Sequence, residues 1–324
     1  MTSIAAEHLA SKTPIVLDCD PGVDDAMAIL YGLRAPEVEI VALGTVWGNI
    51  DVDTATVNAV RLLEIGGRPD IPVAKGAGRQ LIGTEPTFAE LIHGPAGTGS
   101  TILPPPSGQH TGEHAVTQMI RLAYERPGEL TLVAIGPLTN LGIALATDPG
   151  IATRYKEVVI MGGAFLWPGN ITPVAEANIW HDPEAARIVL EAPWPVTLVP
   201  LDVTEQAQVT GEMLDQLRDT NTPAGTHLHL ISDIYLSAYE ARFARREAAM
   251  HDGLALAIAV DPTLVQEAPL TRVDIELNGA HTRGMTVADL RPIPNLERAN
   301  ARVVLKAEGN RFVRRWFNVL ASWD

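Results

Sequence analysis

Asp18, Asp20, Asp24 and Asp25 fall within eight residues of one another, inside the run PIVLDCDPGVDDAMAIL that spans residues 14–30. Two unit charges about 4 Å apart repel by roughly 1 kcal/mol in water and roughly 4 kcal/mol at an effective dielectric of 20. A helix N-terminus offsets about 0.3–1 kcal/mol of this, too little for several partly buried acids. Either some carboxyls stay protonated or a cation sits among them. No Lys or Arg lies between Lys12 and Arg34, so the cation is expected to be a metal. All-oxygen donors suit a hard ion, Ca2+ or Mg2+. The plain alternative is a solvated acidic turn, for which the hydrophobic flanks leave few exposed positions.

Further polar residues follow apolar runs along the chain: Asn49, Asn170, Glu176, Asn178 and the pair His251-Asp252. Amides and carboxylates converging on a hard metal match a polyhydroxylated ligand, because sugar hydroxyls donate to carboxylates and both give to and accept from Asn. Glu176 and Asn178 are two apart and would point the same way on an extended segment. Each residue has a plainer reading. Asn49 could form a turn, Asn170 could shape the loop after Gly169, Asp252 could cap a helix, and His251 could be a satisfied core histidine. Tyr235, Tyr239 and Phe243 form an i, i+4, i+8 stripe, more often core than a base-stacking wall. Cys19 reads as a small buried filler, since neighbouring acids raise a thiol pKa. Asp182-Pro183-Glu184 has the form of a helix N-cap followed by its first two positions, which makes Asp182 a cap rather than a catalyst.

The elements that must carry these residues alternate. Residues 15–17, 38–46, 71–73, 130–135, 158–161 and 196–201 read as strands. Between and after them, helices are predicted over residues 113–124, from Gly136-Pro137 through 146, 204–218, 223–248 and 254–260, with Trp316 and Phe317 on a terminal helix. Another helix starts after Asp51 or Asp53, with Ala55, Ala59, Leu62 and Leu63 on its apolar side. Residues 272–277 and 302–306 read as extra strands, with antiparallel pairing open to them. Residues 75–109 are rich in Gly and Pro and read as a long flap containing His93. Residues 164–180 read as a polar loop. Strand–helix alternation predicts a single α/β domain with a mostly parallel, mixed sheet covered by helices on both faces.

The 324 residues carry a formal net charge of −15 and are 46% hydrophobic. An acidic chain does not suit nucleic acid, whose phosphates want a basic surface. One cysteine gives no disulfide framework and no CxxC zinc site. The first residues have no basic region followed by a long apolar one, and no apolar run is long enough to span a bilayer. The expectation is a soluble cytoplasmic protein with a disordered tail over residues 1–12, a domain over 13–324 and no membrane contact.

DCDPGVDDAMAIL resembles the DxDPGxDD signature of the nucleoside hydrolases, often called inosine–uridine-preferring nucleoside hydrolases. AIGPLTNLGIAL, IMGGAF, GNITPVAEANIWHDPEAA and MHDGLALAIAVDP are similar to further blocks of that family, in family order. The resemblance implies a Rossmann-like fold with Ca2+ at the bottom of a pocket. By motif position, Asp20, Asp25 and Asp252 would be carboxylate ligands, joined by the main-chain carbonyl of Ile135. Asp24 and Asn178 would hold the ribose 2′-hydroxyl, Asp252 and Asn49 would lie near the 3′-hydroxyl, and Asn170 and Glu176 would take the 5′-hydroxyl. Asp18 would support its neighbours. Asp20 would be the general base and His251 the acid for the leaving base, with Tyr235 or Tyr239 beside it. His93 would close over the nucleoside.

The implied reaction is Ca2+-dependent hydrolysis of the N-glycosidic bond to ribose and free base, with inosine, uridine or pyrimidine nucleosides favoured by the presence of His251. A purine-preferring hydrolase is the alternative. Weaker ones are a haloacid-dehalogenase-type phosphatase, against which Gly22 stands where Thr or Val belongs, and a non-catalytic nucleoside binder. The resemblance also implies a homo-oligomer, dimer or tetramer. Three features depart from the family pattern: Gly253 replaces a Pro, Ala177 an aromatic, and HGPAGTGS lacks the acidic or Gly-Leu-Gly form after His-Gly.

Overall fold

Side chains alternate across the first strand, Thr13–Cys19. Ile15, Leu17 and Cys19 enter one apolar core and Val16 enters another. A strand buried on both faces has no polar face to show, so it reads as a continuous apolar run. The computed structural model describes residues 12–83 and 86–323. All of the expected disordered tail except Lys12 lies outside the described residues.

Eight strands form the central sheet, in the order Leu270–Thr271, Ala301–Val303, Val196–Val199, Glu157–Met161, Thr131–Ala134, Thr13–Cys19, Val38–Thr45, Val73–Lys75. All neighbours are parallel except Leu270–Thr271, which runs antiparallel to Ala301–Val303. Helices Val23–Arg34, Val52–Ile65, His251–Val260 and Gly309–Ala321 cover one face. Ala115–Glu125, Thr139–Thr147 and Pro183–Glu191 cover the other. The expected mixed, mostly parallel sheet in one α/β domain is what the chain builds. From the first strand the chain winds outward to one edge, then returns to Thr131–Ala134 on the other side. This reversal leaves a crevice beyond the carboxyl ends of the strands, where open α/β sheets bind ligands. Asp20 and Ile135 follow the two strands that flank it.

Several expected elements break where a local interaction outcompetes the apolar pattern. Residues 223–248 form two helices, Pro223–Ile231 and Asp233–Phe243, then the strand Glu247–Ala249. Ser232 turns its hydroxyl back to the Leu228 carbonyl at 2.6 Å, and Ala244 ends the second helix in a left-handed conformation, φ 55°. Residues 204–218 divide into the turn Leu201–Thr204, the strand Gln208–Thr210 and the helix Gly211–Asp219, capped by Thr210. The helix after Gly136-Pro137 starts only at Thr139. Among its described residues the flap carries one short helix, Glu90–His93. Val273–Ile275 pairs with Thr286–Ala288 outside the main sheet, whereas Ala301–Val303 joins it. Asp51, not Asp53, caps Val52–Ile65, and Asp182 caps Pro183–Glu191 as expected.

Candidate active site

The first strand delivers Asp20 to the crevice, and the helix behind it points its N-terminus at the same spot. The first backbone N–H groups of a helix have no partner within it. Asp25 closes this end: its carboxylate accepts from Gly22 N at 3.0 Å and Asp20 N at 3.1 Å. Asn49, at the end of the second strand, ties the two acids together. Its N–H donates to Asp20 Oδ2 at 2.7 Å and its side-chain amide to Asp25 Oδ2 at 3.1 Å. Asp20 fits only because two glycines face it. A Cβ on Gly48 would stand 2.1 Å from Asp20 Oδ2, and one on Gly136 2.6 Å from Asp20 Oδ1.

Asp252 arrives in the first turn of His251–Val260, so it lies within the helix and does not cap it. Asp24, Asp25 and Asp252 each bring an oxygen within 4.8 Å of the others'. All four acids are buried. Burial, then the charge of Asp25, holds Asp20 well above the ordinary carboxylate range. The same two causes push Asp24 up to about 8. Burial lifts Asp252 well above its usual value, with Asp24 next in effect. Burial raises Asp25 to about 6, restrained by the N–H donors of Gly22 and Asp20. Asp20 Oδ1 and Asp24 Oδ1 have no hydrogen-bond partner. Buried oxygens without a partner and acids held from ionising are what a hard divalent cation would relieve, so these residues fit one. Asp18 sits apart and does not line the cavity above these acids. It accepts from Asn140 Nδ2 at 2.8 Å, and burial raises it to about 7.

Above the acids lies a cavity whose lining includes Asn49, His93, Ile135, Asn170, Glu176, Asn178, Tyr235, Tyr239, His251 and Asp252. Glu176 and Asn178 do not share an extended segment, as their spacing suggested. Glu176 caps the short helix Ala177–His181 and accepts from Asn178 N, Ile179 N and Gly163 N at 2.8, 3.1 and 3.0 Å. Asn178 lies inside that helix and donates to the carbonyls of Ile135 at 2.9 Å and Met161 at 3.2 Å. A carbonyl has two lone pairs, so Ile135 keeps one free. Asn170 is exposed at the rim, its side-chain oxygen accepting from Ala177 N at 2.9 Å. Ala177, small where an aromatic was expected, leaves that wall open.

His93 is buried beneath its flap, with Nδ1 accepting from Val23 N at 3.1 Å. Burial lowers it to about 3, so its ring is neutral. His251 is held at both nitrogens, at 2.7 Å from the Tyr239 hydroxyl and 2.7 Å from Thr204 Oγ1. Burial, with Arg242 second, lowers it to about 4. Tyr235 and Tyr239 are buried and also line the cavity, so the core and wall readings of the stripe both apply. Cys19 is buried away from the cavity lining, as a filler would be, and burial pushes its thiol up. Sequence reasoning missed Thr204, Glu205 and Arg242. Only Arg242 left a signal, seven residues after Tyr235 and so on the same helix face.

A model of the family described as inosine-uridine preferring nucleoside hydrolase matches residues 15–314. The inosine-uridine preferring nucleoside hydrolase of Leishmania major is 40% identical over 300 residues, 92% of this chain and 94% of that protein. A solved plant nucleoside hydrolase superposes with a TM-score of 0.90 at 33% identity, covering 96% of this chain and 99% of its own. The purine-preferring ribonucleoside hydrolase of Gardnerella vaginalis gives 0.89 at 33% identity, covering 95% and 98%.

Proposed function

The chain belongs to the family of inosine-uridine preferring nucleoside hydrolases, and from that premise we propose that it hydrolyses inosine and uridine to ribose and free base in a Ca2+-dependent reaction. It is a glycosidase acting on N-glycosyl compounds, and the phosphatase alternative falls with that. The observation that carries the finer reading is the pair of partnerless buried oxygens on Asp20 and Asp24 beneath a cavity lined by amides and acids.

Asp20, Asp25, Asp252 and the Ile135 carbonyl would hold the ion, with Asp24 beside it facing the 2′-hydroxyl. Bound there, Ca2+ would supply an electrophilic centre that favours the ionised form of the acids and lowers the pKa of a nearby water. Asp20 Oδ1 accepts the proton of the attacking water. Asn178 and Asn49 fix the sugar hydroxyls, and Glu176 and Asn170 hold the 5′ end. As the C1′–N bond loosens, positive charge builds on the sugar and the surrounding carboxylates stabilise it. The departing base meets the chain Tyr239–His251–Thr204. The proton that the base gains from Tyr239, backed by His251, is balanced by the one that Asp20 takes from the water. The protein's single buried cysteine suits a reducing cytoplasm, and the homo-oligomer that the family resemblance implies is part of this proposal. No helix among the described residues is long and apolar enough to cross a membrane.

His251→Ala is expected to slow inosine and uridine turnover by about 100-fold and to leave a nitrophenyl riboside, whose leaving group needs no proton, far less affected. Equal losses on both would remove the proton-delivery role. Gly48→Ala is expected to displace the Asp20 carboxylate and lower kcat by about 100-fold with circular dichroism unchanged. A variant as fast as wild type would show that the placement of Asp20 is not limiting. The reading as a whole is tested by reducing-sugar release from uridine, cytidine, inosine and adenosine with Ca2+ present. Faster release from inosine and uridine supports it. A preference for both purines favours the purine-preferring alternative, and silence on all four overturns it.

A further inference from the structure

The cavity is acidic at its floor and carries one cation at its outer end. Among the described lining residues Arg242 is the only Lys or Arg. It stands in the last turn of Asp233–Phe243, on the helix face that also brings Tyr235, Ala238 and Tyr239 to the cavity. Beside it Glu205 is buried, its side chain 2% exposed against 45% for Arg242, with Oε1 at 4.0 Å from Arg242 Nη1. That separation is an ion pair but not a hydrogen bond. Glu205 Oε1 has no hydrogen-bond partner. Among the described residues no protein acceptor lies within hydrogen-bond distance of the Arg242 guanidinium. Arg242 is therefore held by a buried charge and by the Phe243 ring, over which its guanidinium carbon lies 5.0 Å from the centroid, while its N–H donors make no hydrogen bond.

We infer that Arg242 reads the leaving base, selecting bases that turn a carbonyl oxygen, rather than an amino group, toward the outer end of the cavity. The inference rests on the cavity being the nucleoside site, with the ribose at its acidic floor. A guanidinium only donates. It can bond the outer carbonyl of uracil or hypoxanthine but finds a competing donor in the amino group of cytosine or adenine. The interaction also grows along the reaction. The bonding pair of the C1′–N bond leaves with the base, and the resulting negative charge spreads onto the ring carbonyls. A cation aimed there binds the transition state more tightly than the substrate, which raises kcat as well as lowering KM. Of the two histidines nearby, His251 is committed at both nitrogens, and His93, tied to Val23 through Nδ1, is neutral and keeps a single donor at Nε2.

Initial rates on uridine, cytidine, inosine and adenosine, with Ca2+ present, test this in wild type, Arg242→Gln and Arg242→Lys. In Arg242→Gln the uridine-to-cytidine and inosine-to-adenosine ratios of kcat/KM are expected to fall about ten-fold. The loss should fall largely in kcat for the keto bases, with inhibition by free ribose unchanged. Arg242→Lys keeps the charge and loses the fork, so its ratios should lie between the two. Unchanged ratios overturn the inference, as does an equal fall on all four substrates, which would make Arg242 a support for its helix alone. Wild type inactive on all four would instead overturn the hydrolysis reading on which the inference rests.

Discussion

Asp20→Asn is expected to lower kcat on inosine and uridine by about 1,000-fold or more, while the protein stays folded. The substitution is nearly isosteric, and the amide oxygen can still accept from Asn49 N at the position Asp20 Oδ2 now holds, 2.7 Å away. What it removes is the oxygen with no partner, Oδ1, the only basic atom of Asp20 left to take a proton from water. It also removes a charge from a cluster in which burial and Asp25 already oppose ionisation. Metal-free Asp20→Asn should therefore unfold at the same temperature as wild type or higher. A loss of activity with an undiminished Tm separates a missing base from a broken fold. Turnover within ten-fold of wild type would show that another group activates the water.

The second large effect expected is that of the ion. Chelation should abolish activity, Ca2+ should restore it, and Mg2+ should restore it poorly, since Mg2+ demands a tighter, near-octahedral set of ligands. The thermal shift is an independent readout. An ion at 100 times its Kd stabilises the folded chain by about 2.7 kcal/mol, which for a protein of this size raises Tm by about 5 °C. The source of the shift would be relief of the repulsion among Asp20, Asp24, Asp25 and Asp252. Chelator that changes neither activity nor Tm would show that the acids satisfy one another by holding protons, as the closeness of Asp24, Asp25 and Asp252 permits.

The central parallel strands were legible because they are buried on both faces, so apolar runs such as residues 130–135 announce themselves. The Asp18–Asp25 cluster was legible because its strangeness is local: charges crowded in sequence stay crowded in space. Contacts made by residues far apart in sequence were not. The approach of Gly48 and Gly136 to Asp20, Asn140 reaching Asp18, and Glu205 beside Arg242 link positions whose nearness depends on the whole fold. The reading of Glu176 and Asn178 as an extended pair failed for a local reason: a buried Glu accepting from two following N–H groups starts a helix turn. The single helix expected over 223–248 failed because Ser232 and Ala244 carry no strong breaker signal, yet take up the backbone conformations that end helices. Asp24 and Asp252 of the acid cluster, the amides Asn49, Asn170 and Asn178, and His251 nevertheless line one cavity, though they are drawn from residues 24 to 252.

The most direct test is to incubate the purified, Ca2+-loaded protein with inosine or uridine and quantify both products. Free ribose and free base should appear in equal amounts, and chelator should stop both. Base released without reducing sugar, or hydrolysis that chelator leaves untouched, would contradict the account.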